Sequence, residues 1–128
     1  MMHFVALVGL LALLQYLVFG MLVGRARGKY GVKAPAVTGH EIFERYFRVQ
    51  QNTLELLVAF VPGVWLFGAY VSPNWAAGLG LVYLVGRILY LRGYVADPAK
   101  REIGFGLSVL PLFVLLLGAL WGAGRSLL

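Results

Sequence analysis

Arg48, Asn52 and Glu55 stand at i, i+4 and i+7 in the run ERYFRVQQNTLE. On a helix that spacing stacks three side chains on one face. Glu41, Glu44, Arg45 and Gln51 fall in the same broad arc, and Gln50 points the opposite way. A second stack, Tyr83, Arg87, Tyr90 and Tyr94, follows i, i+4, i+7 and i+11. Guanidinium forks bind carboxylates, a Glu binds an amine, and phenol and amide groups supply the hydrogen bonds between. A small, multiply charged, zwitterionic molecule of peptide type suits that set. Each residue taken singly also has a plainer use. Glu55 and Arg87 lie at similar depth and are expected to form an ion pair, the Tyr residues suit an interfacial aromatic belt, and Arg92 and Arg101 suit anchors. An anchor belt, however, requires no Asn, no Gln pair, and no face shared by three Tyr and one Arg.

The elements that carry these stacks are oily. The chain has 128 residues, of which 61% are hydrophobic and only 12% charged, against about a quarter charged in soluble domains. Four segments approach the ~20 residues with which a helix crosses ~30 Å of hydrocarbon, and a helix satisfies its own backbone in lipid. The expected fold is therefore an all-α integral membrane bundle, one domain of four transmembrane helices over about 4–23, 41–71, 75–95 and 98–122. The first segment is too long for a signal-peptide core and no Lys or Arg precedes it, so it reads as a retained span.

Between the spans, GRARGKYGVKAPAVTG reads as a loop broken by Gly and Pro. Helix two is expected to start near His40 or Glu41 with Thr38 or Gly39 near its cap, to project beyond the membrane, and to kink or lose a hydrogen bond at Pro62. Gly78, Gly80 and Gly86 allow close packing of helix three, and Gln15 suits an interhelical hydrogen bond. Asp97 and Pro98 read as the cap and first residue of helix four, which puts Arg101 in its first turns.

The net charge of +6 is a topology signal rather than a nucleic-acid signal. Arg25, Arg27, Lys29, Lys33, Arg45 and Arg48 flank the first connection, and Arg92, Lys100 and Arg101 the third; the turn YVSPNW has none. The positive-inside rule then puts loops one and three in the cytoplasm and both termini on the other side. The basic stretch also suits anionic membrane lipids. The chain has no cysteine, and His3 and His40 make no metal-site spacing. No metal and no protein thiol is expected. The brevity of the chain and its lack of a retrieval tail favour a bacterial inner membrane.

ERYFRVQQNTLE, together with GLVYLVGRILYLRGY followed by AKREIGF, resembles the signatures of the membrane-associated proteins in eicosanoid and glutathione metabolism, the MAPEG family. The likeness runs through helices two to four and reaches weakly into VKAPAVTG. It implies a homotrimer of four-helix subunits with glutathione bound between neighbours near the cytoplasmic surface. By position, Arg48, Asn52, Glu55, Tyr90 and Tyr94 would hold glutathione as co-substrate. Gln50 would reach it from the adjacent subunit, Arg27 would touch the peptide, and Arg101 would be the catalytic group that ionises the thiol. Arg87 either joins the ligand set or only pairs with Glu55. Leu56 and Gly28 depart from the leukotriene-forming members, which carry an aromatic and a second Arg there.

The implied activity is a detoxifying membrane glutathione transferase, with glutathione-dependent lipid peroxidase activity as a companion. Its second partner is a hydrophobic electrophile or lipid hydroperoxide that arrives from the bilayer along grooves between helices; Trp65, Phe67 and the apolar residues of helix four suit such a groove, and suit plain packing better. The alternatives are a non-catalytic lipid-binding scaffold of the same family, which lacks the thiol-activating Arg, and a small multidrug transporter, which needs the embedded Glu55 but not the Arg and Tyr stacks.

Overall fold

The computed structural model covers residues 1–128 and is all helical. Four helices occur in order: α1 His3–Tyr30, α2 Glu41–Tyr70, α3 Pro73–Ala96 and α4 Glu102–Arg125, with a single 3₁₀ turn at Pro98–Lys100. All four are long and apolar enough to span a membrane. Their outward faces carry bare Leu10, Leu14, Leu17, Leu110, Leu117 and Leu120, an arrangement that is stable against lipid and costly against water. The protein is an integral, multi-pass membrane protein.

α1 runs seven residues further than the expected span. Its extension, through Arg, Ala and Lys, uses strong helix formers. It stops at Gly31, which takes φ 69°, and the Gly31 and Val32 amides both return to the Arg27 carbonyl, a glycine-terminated end that leaves few orphan carbonyls. Residues 24–30 are thus helix rather than loop. The cap of α2 is His40 rather than Thr38 or Gly39: His40 Nδ1 accepts the Ile42 amide at 3.1 Å, and Glu44 reaches back to accept the Gly39 amide at 3.2 Å. Glu41 and Glu44 add negative charge to this N-terminus, where the helix dipole favours it. α2 continues through Pro62 to Tyr70.

Ser72 caps α3 by accepting the Trp75 amide, with Pro73 at the first helical position. At the other end, the Arg45 guanidinium donates to the Val95 and Ala96 carbonyls at 3.0 and 3.3 Å. A cation there satisfies orphan acceptors and complements the dipole. Asp97 does act as a cap, accepting the Ala99 amide at 3.1 Å, but the element it caps is the 3₁₀ turn. α4 begins only at Glu102, so Arg101 occupies its cap position instead of its first turns.

α2 and α3 each pack against all three other helices, and α1 and α4 take the flanks. The main core joins Val5, Val8 and Ala12 of α1 to Phe60 and Val64 of α2, Tyr83 of α3 and Leu115 of α4. In lipid such contacts hold by close van der Waals fit, since the tails are as apolar as the side chains. Glycines permit it. A Cβ on Gly80 would strike Val8, and one on Gly86 would lie 2.7 Å from the Leu107 backbone. Gly104 lies against the Tyr90 backbone just as closely. Gly78 differs from expectation, with open space where its Cβ would be. Gln15 behaves as expected: its Nε2 donates to the Leu84 carbonyl at 2.9 Å, tying α1 to α3.

Candidate functional site

Where α2, α3 and the start of α4 converge, Arg48, Asn52, Tyr90, Tyr94, Arg101 and Phe105 line one cavity of about 460 Å³. That volume lies in the range of small-molecule sites. Five of the six are residues singled out by spacing or resemblance. The i, i+4 register of α2 delivers Arg48 and Asn52 to one wall, and that of α3 delivers Tyr90 and Tyr94 to the other. The two phenol rings stack at 5.5 Å between centroids, and Phe105 leans on Tyr90 at 6.1 Å. Tyr90 is buried and packs with Phe19 and Val49, so the rings form a fixed surface rather than a mobile fringe.

The two guanidiniums at the mouth are nearly free. Arg48 is exposed and makes no hydrogen bond within the chain; Arg101, also exposed, donates only to the Pro98 carbonyl at 3.0 Å. The kink between the 3₁₀ turn and α4 places Arg101 at the rim, because Asp97 stops one element and Glu102 starts the next. A second cleft of about 380 Å³ adjoins the first through Arg48 and Tyr94 and brings in Glu41, Glu44, Arg45 and Pro98.

Glu55 does not pair with Arg87. Glu55 is exposed on α2, while Arg87 is fully buried, 0% accessible. The chain's single ion pair is Arg45–Glu41. Arg87 is instead surrounded by neutral acceptors: Ser108 Oγ takes its Nε–H at 2.9 Å, and Asn52 Oδ1 and Thr53 Oγ1 take hydrogens of one terminal nitrogen at 2.7 and 3.1 Å. Its plane covers the Tyr90 ring at 4.4 Å. Its other terminal nitrogen has no partner. The correction has a simple cause. Equal depth on two helices does not make two residues neighbours; Asn52, one turn before Glu55, occupies the inward face that Arg87 meets. Arg87 therefore backs the cavity wall and does not line it.

Three other expected residues lie outside the cavity. Arg27 is occupied at the first connection: it donates to the Ala36 carbonyl at 2.6 Å and to Val32 at 3.4 Å, and sits 4.8 Å over the Phe43 ring. Gln50 points away from Asn52 and rests on Gly20 of α1, where a Cβ would come within 2.8 Å of its amide nitrogen. Glu55 faces outward on α2. Within the bilayer region a broad apolar groove of about 560 Å³ runs between α1 and α2 and includes Val5, Leu10, Leu13, Pro62 and Trp65. Trp65 borders this groove, and Phe67 takes the packing role, buried against Gly118.

Phe105, Thr53 and Ser108 carry parts of the site that residue spacing missed. Ser108 had a signal: a lone hydroxyl in the apolar run GLSVLPLF needs a partner in lipid, and it finds Arg87 and the Gly104 carbonyl.

The MAPEG family model matches residues 5–121. Among related proteins, human microsomal glutathione S-transferase 2 is 47% identical over 124 residues, covering 96% of this chain and 84% of its own length. Leukotriene C4 synthase of Cavia porcellus is 37% identical over 111 residues, covering 87% of this chain and 74% of its own. Uncharacterized protein sll1147 of Synechocystis is 55% identical over 115 residues, covering 90% and 84%.

Proposed function

The chain belongs to the MAPEG family, and on that premise we propose that it is a membrane glutathione transferase that joins the glutathione thiolate to hydrophobic electrophiles. The observation that carries the reading is the cavity in which two under-used guanidiniums, an amide and two stacked phenols meet beside the apolar phase. Glutathione is a tripeptide with two carboxylates, one ammonium and a thiol. Arg48 and the Asn52 amide suit a carboxylate, Tyr90 and Tyr94 suit the peptide and sulfur region, and Arg101 at the rim suits the thiolate. The relatives named for glutathione transfer and leukotriene C4 synthesis support the same substrate.

Arg101 would act on the sulfur's ionisation. A free thiol has pKa ~8.5, so only a few per cent is ionised at neutral pH. A permanently charged guanidinium nearby favours the anion. Lowering that pKa by ~2 units makes thiolate the major species at pH 7. Its electron pair then forms the S–C bond while the electrophile's leaving group departs with the electrons of the broken bond; the thiol proton goes to solvent. With a lipid hydroperoxide, the thiolate attacks oxygen and the alkoxide leaves and is protonated. A second glutathione converts the sulfenic product to disulfide and water. We propose peroxide reduction as a companion activity on that basis.

A homotrimer accounts for the residues left outside the protomer's cavity. Glu55 and Gln50 lie on faces that do not enter it, and a neighbouring copy would bring such groups, with Arg27, to the edges of the ligand. The electrophile would arrive laterally, the apolar groove at Trp65 being one route. The basic ends of α1, α2 and α3 support a cytoplasmic placement of the cavity, with both chain termini opposite. The family match sets the multidrug-transporter reading aside, and the presence of Arg101 weighs against a non-catalytic scaffold.

Ultraviolet difference absorbance of glutathione bound to purified protein reports thiolate directly. The wild type should show it near neutral pH and Arg101→Ala should bind glutathione without it. Equal thiolate in both would remove Arg101 from the chemistry, and no glutathione binding by calorimetry, with fatty-acid binding retained, would favour the scaffold.

A further inference from the structure

The buried guanidinium behind the cavity has no counter-ion, yet it touches two of the cavity's six lining residues. One contact is the 2.7 Å hydrogen bond to Asn52 Oδ1 and the other is the face-on approach to the Tyr90 ring. Arg87 is itself held from behind, because Ser108 donates to the Gly104 carbonyl at 2.7 Å and so turns its lone pairs toward Arg87 Nε. Guanidinium is a rigid plane with donors only. Asn52 must therefore present its oxygen to Arg87, since the flipped amide would set donor against donor. Its nitrogen is left for the cavity.

We propose that Arg87 is the positioning residue of the glutathione site: by occupying Asn52 Oδ1 it fixes the Asn52 amide with its two N–H donors toward the ligand, as a carboxylate- or carbonyl-binding edge. The inference rests on the transferase reading and names the orientation on which that site depends. It also explains an Arg with neutral partners at membrane depth. A carboxylate in place of Asn52 would pair with Arg87 more strongly but would present the ligand's carboxylate with a like charge. The amide transmits the guanidinium's orienting effect while keeping a donor outward. Arg87 does not touch the ligand; its effect belongs in binding and not in thiol ionisation.

The test uses the full-length protein in lipid nanodiscs, with initial rates at varied glutathione against a chloronitrobenzene electrophile, and calorimetry with glutathione. Asn52→Asp retains the acceptor for Arg87, so its thermal midpoint should equal or exceed that of the wild type. Its KM for glutathione should nonetheless rise by about tenfold or more, the loss of a charge-assisted hydrogen bond, with kcat within about twofold. Arg87→Gln should raise KM similarly, and combining it with Asn52→Ala should cost no more than Asn52→Ala alone, the signature of two residues acting as one. Additive effects, or an unchanged KM in Asn52→Asp, would overturn the assignment. Where Arg87→Gln does not fold, Asn52→Asp decides by itself. A wild type that binds no glutathione sinks the transferase reading and this inference with it. A wild type that binds it, beside an Asn52→Asp variant that binds equally well, sinks the inference alone.

Discussion

Arg48 and Arg101 at the cavity mouth, and Arg87 behind its wall, are the same side chain in opposite situations. The first two are exposed and have one hydrogen bond between them. The third is inaccessible and makes three, to side chains of two neighbouring helices. Free donors at an accessible rim are available to a soluble anion. Donors sealed behind the wall, on a guanidinium held by fixed neutral acceptors, do not meet a ligand, but they can hold the groups that do. The contrast shows that a charged residue in a membrane helix is assigned its role by the partners already present, more than by its depth.

Removing the Arg on each side of that wall should have separable effects. The largest on activity belongs to Arg101→Ala. If the thiol reverts from pKa ~6.5 to ~8.5, thiolate at pH 7 falls by a factor of about 25. The fold-change should shrink as pH rises through ~8.5, because the wild type's advantage exists only where free thiol is protonated. Rate against pH for both proteins checks this, and a pH-independent ratio breaks the comparison. Next is the largest effect on stability. Arg87→Met leaves Asn52, Thr53 and Ser108 short of a buried donor, at about 1–3 kcal/mol, seen as a lower thermal midpoint in nanodiscs.

Arg48→Ala sharpens the contrast from the other side. It should leave the thermal midpoint unchanged while weakening glutathione binding by about ten- to a hundredfold, the worth of one charge-assisted hydrogen bond. Loss of stability there would mean that the mouth is as structural as the wall. Gly104→Ala should cost about 1–3 kcal/mol by overpacking, since the added Cβ meets the Tyr90 backbone, and should weaken binding with it. Smallest is Gly78→Ala, which meets nothing within 4 Å and should stay within about 0.5 kcal/mol of the wild type.

Much of this was legible in the residues alone. Apolar length and backbone self-satisfaction dictate four spans for any chain with these runs, and helical register brings Arg48 with Asn52, and Tyr90 with Tyr94, onto shared faces. The lone Gln15 in α1 was bound to find a partner. The family likeness was visible in ERYFRVQQNTLE and AKREIGF for the same reason, since those positions hold the polar groups that lipid does not tolerate without purpose. What register does not contain is rotation of one helix against another. Only the crossing of α2, α3 and α4, with α3 and α4 brought close where Gly86 meets the Leu107 backbone and Gly104 the Tyr90 backbone, decides that Arg87 meets Asn52, Thr53 and Ser108 instead of Glu55, and that Phe105 closes the cavity. Likewise the break at Asp97 and the 3₁₀ turn moves Arg101 to the rim. A one-dimensional pattern specifies which face a residue occupies, whereas the neighbour across the gap is chosen by how closely two backbones can approach.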